Sequence, residues 1–234
     1  MRLVAWNCAN AASRKLPELV ERLAPDVAVI SECCDEVSLR RGLGNLLPPF
    51  TLPSFSMAWV GRYPSCGVAV LAFGSYQAEV DNAAADLVKG MKSVCPARIT
   101  GPTSFSLLGI WADNSTARRP ATEAALALQG WFSAQPVVVA GDFNNDVFWD
   151  RGGGDARDHT VTVELLETHG LVPVPNRLPT FHLSKNLQKP FVIDHAFVPT
   201  SWSIRSWEVG AIEDWMRLSG HLPLIVDLAV GGDD

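Results

Sequence analysis

The chain has 234 residues, 47% of them hydrophobic, which is enough to bury a substantial core within one domain spanning residues 1–230 and leave a short tail at 231–234. Nineteen basic against 25 acidic residues give a net charge of −6, which argues against a protein that holds nucleic acid mainly by neutralising phosphates, although a local cluster such as Lys185 and Lys189 can still meet a phosphate backbone. No run is long enough to span a bilayer, no signal-peptide pattern precedes the first strand, and the odd set of Cys8, Cys33, Cys34, Cys66 and Cys95 disfavours a disulfide framework and lacks the paired spacing of a zinc site, so a soluble, monomeric, cytoplasmic protein that does not engage membranes is expected.

From the N-terminus, Arg2 to Asn7 reads as a strand, followed by a helix over Ser13 to Leu23 with Ser13 as its cap and Pro17 in an early turn. A second apolar strand, Val27 to Ser31, leads to a helix from about Asp35. Strands are expected at Ser56 to Val60, Gly67 to Phe73, Ser93 to Thr100 and Phe105 to Trp111. An alanine- and leucine-rich helix, Pro120 to Phe132, then precedes the apolar strand Val137 to Ala140. The second half predicts a helix over Val161 to His169, a long loop carrying Pro173, Pro175 and Pro179, a strand at about Val192 to Val198, another near Ile204 to Val209, and a closing strand from Leu224. Mixed strands and helices with many hairpin-like neighbours predict two sheets facing each other with helices outside.

The polar residues at the strand ends carry the functional signal. Gly141-Asp142-Phe143-Asn144-Asn145 arrives directly off Val137 to Ala140, a pattern that is also the signature of a simple Asx turn. It has company in Trp6-Asn7, Ser31-Glu32, Ile193-Asp194-His195 and Ser219-Gly220-His221-Leu222-Pro223, each on or beside a predicted strand. In this order, over essentially the whole chain, these residues resemble the endonuclease/exonuclease/phosphatase superfamily of the exonuclease III and DNase I type. The resemblance implies an α/β four-layer sandwich, two mixed β-sheets packed face to face with helices on the outside, whose polar strand ends converge at one edge.

It also implies hydrolysis of phosphate esters assisted by Mg²⁺ or Mn²⁺. A hard cation takes oxygen ligands, and Glu32 is the expected metal ligand, with Asn7 beside the metal or the scissile phosphate. Asp142 fits as the group that orients or deprotonates the attacking water, and Asn144, two residues on, as a donor to the phosphoryl oxygen. His221 fits as a cationic donor to the same centre, held in its tautomer by Asp194.

Two departures stand out. The closing motif has Gly220 where the family usually carries an aspartate, so a carboxylate that commonly lies at the metal is absent. The strand ending at Trp111 lacks the tyrosine or histidine of many relatives; Trp111 can pack against substrate but is a donor only, and Asn114 is the better polar candidate there. His159, after a glycine-rich stretch, either touches a phosphate or, with Asp158, caps the following helix, and Phe181 is a candidate to stack on a nucleotide. Trp149 is a further aromatic candidate.

The expectation is a divalent-metal-dependent phosphodiesterase, an endonuclease or exonuclease acting on nucleic acid. Two alternatives stay open: a phosphatase or phosphodiesterase for a small phosphorylated metabolite or lipid headgroup, and a pseudoenzyme in which Gly220 has cost the site its metal.

Overall fold

The first strand, β1 (Arg2–Asn7), shows why the strands read as unbroken apolar runs: Leu3 and Ala5 enter one buried cluster while Val4 and Trp6, on the opposite face, enter another. The computed structural model describes residues 1–46, 52–91, 94–112, 120–147, 150, 158–183 and 186–230. Within these, one six-stranded sheet runs β13 (Ser203–Val209), β14 (Leu224–Ala229), β1, β2 (Val27–Cys33), β4 (Cys66–Phe73), β3 (Phe55–Tyr63). The other runs β5 (Gln77–Val80), β6 (Val94–Thr100), β7 (Phe105–Trp111), β8 (Val137–Asp142), β12 (Asp194–Pro199), β9 (Leu171–Pro173). A separate hairpin pairs β10 (Phe181–Leu183) with β11 (Asn186–Phe191).

The inner faces of the two sheets share one core, in which Leu3, Val29, Val70 and Val226 meet Ala97, Leu107, Val138 and Ala196. Helix α1 (Ala12–Leu23) and helix α2 (Glu36–Gly44) cover the outer face of the first sheet through Leu16, Leu19, Leu39 and Leu43. On the second sheet, α4 (Pro120–Ala127), α5 (Gln129–Phe132) and α6 (Asp158–Thr168) bury Ala124, Leu128, Phe132 and Leu166 against Leu108, Ile110 and Val139. The predicted layering is therefore found, and burial of both faces of each sheet supplies most of the apolar area the chain removes from water. Among the described residues no helix is long and apolar enough to cross a membrane.

β1 and β2 run parallel, as do β7 and β8, while β14 and β12 run antiparallel to their neighbours. The C-terminal ends of four strands and the N-terminal ends of two thus lie along one edge, which is where Asn7, Glu32, Trp111, Asp142, Asp194 and the segment before β14 emerge.

Several local readings change. Helix α1 starts from Ala11, not Ser13: Ala9, Asn10 and Ala11 have φ of 47, 63 and 54°, and no side chain caps the helix. The helix predicted over Pro120 to Phe132 breaks at Leu128, where the backbone turns so that the Trp131 indole donates to Asp81 Oδ2 at 3.1 Å. Asp81 in turn caps α3 (Asn82–Leu87), which, like β5 and α7 (Ile212–Trp215), is too short to show a period in the sequence. The proline-containing loop conceals β9, an edge strand that tolerates Pro173, and the hairpin β10–β11, whose register shifts between His182 and Leu183.

Candidate active site

Glu32 owes its position to a bulge. The β2–β4 register shifts between Ser31 and Cys33, leaving Glu32 as the extra residue with φ of 56°. A left-handed glutamate costs on the order of 1 kcal/mol and persists where the surroundings hold it. Here both carboxylate oxygens are held: Oε1 accepts from Asn7 Nδ2 at 3.0 Å and Oε2 from Asn10 Nδ2 at 2.8 Å.

Asp142 owes its position to a glycine. A Cβ at Gly141, φ 137°, would sit 2.0 Å from the Ile110 carbonyl oxygen, so no other residue allows β8 to lie this close to β7. The strand then places Asp142 opposite Trp111 on one side and Asp194 on the other. Asp142 is fully buried; its Oδ1 accepts from the Asn144 backbone N–H at 2.8 Å, and its Oδ2 from Asn7 Nδ2 at 2.8 Å and Asn144 Nδ2 at 3.2 Å. The Asx turn and the site are the same structure. Asn144 adopts φ of 47°, a conformation asparagine tolerates.

Asn7 bridges the two sheets. Its Oδ1 accepts from the Ala9 backbone N–H at 2.9 Å, which fixes the amide so that the nitrogen, not the oxygen, faces both carboxylates. Of the two expected places for Asn7, beside the metal or beside the scissile phosphate, this orientation turns the donor end of the amide toward the pocket while its oxygen is engaged with the loop.

His221 is held from three directions. Its carbonyl accepts from the Trp6 indole at 2.9 Å, and its backbone N–H donates at 3.0 Å to Ser219 Oγ, which itself donates to the Asn7 carbonyl at 2.7 Å. The ring places Nδ1 2.9 Å from Asp194 Oδ2 and Nε2 3.9 Å from Asp142 Oδ2. Burial alone depresses the imidazolium, but the Asp194 charge and hydrogen bond, then Asp142 and Glu32, outweigh it and bring His221 up to about 9. Asp142 moves up to about 7, because burial and the Asp194 charge outweigh the opposing effects of His221, Asn7 and Asn144. Between these values the pocket holds a carboxylate beside an imidazolium, an acceptor and a donor of protons.

Ligand atoms of Asp142, Asp194 and His221 lie within 4.8 Å of one another. Asp194 Oδ1 is buried with no hydrogen-bond partner, a costly arrangement for a carboxylate oxygen unless a cation or water meets it. Two carboxylates and an imidazole suit a hard or borderline divalent ion, so the residues fit one. Glu32 stands outside this trio and is joined to it by Asn7.

The structure therefore gathers Asn7, Glu32, Asp142, Asn144, Asp194 and His221 into one cluster. Trp111 lies at the same edge, half-buried against the inner core. Phe181 lies across from His221, with ring centroids 4.5 Å apart, and a Cβ at Gly220 would meet Phe181 Cε2 at 3.0 Å. His159 is placed otherwise than expected: it is buried, with its ring against His195 at 4.3 Å and Phe143 at 6.0 Å, and burial, then the His195 charge, hold it far below the usual histidine range. It is no exposed phosphate contact, and the cap of α6 is Asp150, which accepts from the backbone N–H of Thr160 at 2.7 Å. Asn114 and Trp149 lie outside the described residues, as does Lys185. Asn10 was missed by sequence reasoning; its only signal is a second asparagine three positions after Asn7.

The sequence matches the profile of the Endonuclease/Exonuclease/phosphatase family over residues 4–219. Among solved structures, the endonuclease domain of TRAS1, a telomere-specific non-LTR retrotransposon, is similar with a TM-score of 0.69 at 13% identity, covering 99% of each chain. The 3′ phosphatase NExo from Neisseria, bound to a product DNA hairpin, is similar with a TM-score of 0.70 at 16% identity, covering 98% of this chain and 99% of that one. A family protein from Leptotrichia buccalis gives 0.66 at 13% identity, covering 98% and 99%. At these identities the likeness is one of fold. No curated protein matches the sequence.

Proposed function

Because the chain belongs to the endonuclease/exonuclease/phosphatase family, whose members act on phosphate esters, we propose that it is a divalent-metal-dependent phosphodiester hydrolase acting on nucleic acid. The observation that carries this reading is the hydrogen-bonded chain from Glu32 through Asn7 to Asp142, with the bonded His221–Asp194 pair facing it at 3.9 Å. It sets a proton acceptor, an amide donor and an imidazole around one point, as in-line attack on a phosphate requires.

Asp142 accepts the proton of the attacking water and, through its bonds to Asn7 and Asn144, keeps its orientation. Asn144 donates to a phosphoryl oxygen as charge develops there. His221 supplies a further cationic donor, and Asp194 keeps Nδ1 protonated so that Nε2 faces the reacting centre. A Mg²⁺ or Mn²⁺ ion held by carboxylate oxygens of Asp142 and Asp194, with Glu32 near by and His221 Nε2–H left free to donate, would relieve charge on the phosphoryl and leaving oxygens. Trp111 offers an aromatic surface to a nucleotide at the pocket edge, and Phe181, packed between the Phe191 and His221 rings, forms the wall beside it. Two proteins of similar fold, an endonuclease domain and a 3′ phosphatase bound to a DNA hairpin, support nucleic acid as the substrate class.

The net charge of −6 favours a second reading, a small phosphate ester as substrate. One panel tests both. Plasmid, single-stranded DNA, RNA, bis-p-nitrophenyl phosphate and inositol phosphates are incubated with Mg²⁺, Mn²⁺ or EDTA, with Glu32→Ala as the blank. Metal-dependent cleavage of a nucleic acid that is absent in the blank supports the proposal. Turnover confined to the small esters moves the assignment to the second reading, and turnover unaffected in the blank overturns the site.

A further inference from the structure

We infer that Thr180 is a positioning residue that sets the Asp194–His221 pair, an inference whose catalytic consequence rests on the phosphodiesterase reading but whose geometry does not. Thr180 is fully buried immediately before β10, and it bonds both of the segments that carry the pair. Its Oγ1 accepts from the backbone N–H groups of Ile193 and Asp194, each at 3.0 Å. Its carbonyl accepts from the backbone N–H of Leu222, the residue after His221, at 2.7 Å. Its own N–H donates to the Phe191 carbonyl at 2.9 Å.

The neighbouring contacts continue the same track. His182 donates its backbone N–H to the Gly220 carbonyl at 2.9 Å, so residues 180–182 run antiparallel beside residues 220–222. Asp194 sits at the very start of β12, in register with Asp142. On its N-terminal side the Phe143 N–H holds the Ile193 carbonyl at 2.9 Å, and the Thr180 hydroxyl holds the N–H groups of both Ile193 and Asp194. The 2.9 Å bond from His221 Nδ1 to Asp194 Oδ2 joins two segments 27 residues apart, and one side chain with its own carbonyl ties both to a common point. Displacement of a catalytic pair by about 1 Å can cost on the order of a hundredfold in rate, so a residue of this kind acts on turnover without touching substrate.

A merely structural threonine would satisfy two buried N–H groups and nothing more; the two roles separate under substitution. Thr180→Val keeps the shape and removes the acceptor, Thr180→Ser keeps the acceptor, and Thr180→Ala leaves room for a water to replace it. Two readouts are taken on the full chain: kcat and KM with Mn²⁺ on bis-p-nitrophenyl phosphate, and the downfield proton resonance of the His221 Nδ1–H in metal-free protein, which reports its bond to Asp194. Thr180→Val is expected to lower kcat by about tenfold to a hundredfold with KM little changed and to shift or broaden the resonance, and Thr180→Ser to restore both. Should the valine variant not fold, Thr180→Ala is read in its place, with the same loss expected in smaller measure. A substituted protein that keeps the His221 resonance and a kcat within about threefold of wild type overturns the inference, whatever its melting temperature. A wild-type protein inactive on every phosphodiester, whose His221 resonance still responds to Thr180→Val and not to Thr180→Ser, sinks the hydrolase reading and leaves the positioning role standing.

Discussion

Asn7 and Asp142, 135 residues apart and on different sheets, meet through an amide-to-carboxylate hydrogen bond of 2.8 Å. The same amide nitrogen donates to Glu32 at 3.0 Å, so one side chain keeps two carboxylates in a fixed relation and lowers the tendency of Asp142 to hold a proton. Asn7→Ala removes that influence. The proton affinity of Asp142, already raised by burial and by Asp194, rises further. Because the proposed base works deprotonated, the acid limb of the pH–rate profile moves to higher pH, and kcat falls by about a hundredfold. The measurement is kcat against pH on bis-p-nitrophenyl phosphate; an unmoved acid limb would show that Asp142 is not the titrating base.

The two raised groups also set a stability profile for the metal-free protein. His221 rises from its ordinary 6.5 to about 9, so the stability it contributes, on the order of 3 kcal/mol, is fully present below pH 6.5 and is lost as pH rises through about 9. Asp142, raised from 3.8 to about 7, acts in the same sense at lower pH: its contribution is present below 3.8 and gone above about 7. In EDTA the melting temperature should therefore fall steadily between about pH 6.5 and 9, and His221→Asn should flatten that fall above about pH 7. Protons and a cation compete for the same atoms, so the stabilisation given by added Mn²⁺ should be larger at pH 9 than at pH 6.5. Equal stabilisation at both would place the ion away from Asp142, Asp194 and His221.

Ala11 offers a test of the segment that carries Asn10 to Glu32. It starts α1 at φ 54° without a capping side chain, and Lys15 Nζ donates to the carbonyl of Ala9 at 3.1 Å. Ala-to-Gly changes next to helices usually destabilise. At a left-handed position the sign reverses, because the alanine Cβ is strained there, and Ala11→Gly should stabilise by about 1 kcal/mol in urea unfolding. A loss of stability would mean that the loop relaxes to ordinary dihedrals and that the Asn10 bond to Glu32 is not held by the turn.

The layers and most of the strands were legible because each core strand buries both faces, leaving apolar runs such as Val137–Val139 that end abruptly in polar residues. The site residues were legible for the same reason, since a carboxylate or amide at the mouth of a buried strand stands out. Asn10 and Thr180 did not stand out, because their work is done on partners 22 residues away in one case and 14 and 42 away in the other, and loop asparagines and threonines carry no periodicity. His159 misled for a converse reason: its place beside a glycine-rich stretch looked exposed, while the phase of α6 turns it inward onto Phe143 and His195.

Gly220 stands where the family pattern has an aspartate, and the pseudoenzyme reading turns on it. Its backbone is unexceptional, but a Cβ there would lie 3.0 Å from Phe181 Cε2 and 3.1 Å from the His182 carbonyl oxygen. Phe181, stacked between Phe191 at 6.2 Å and His221 at 4.5 Å, thus presses on the space a side chain at 220 would enter. Gly220→Asp alone should cost about 1 to 3 kcal/mol through crowding. Combined with Phe181→Ala, which empties that space, the substitution should cost less than the sum of the two single changes, a coupling of about 1 kcal/mol in a double-mutant cycle. If the double variant also binds Mn²⁺ more tightly and turns over bis-p-nitrophenyl phosphate faster than Phe181→Ala alone, the natural site is a working catalyst short of one ligand. Tighter Mn²⁺ binding without any turnover would leave the domain as a binder of phosphate esters.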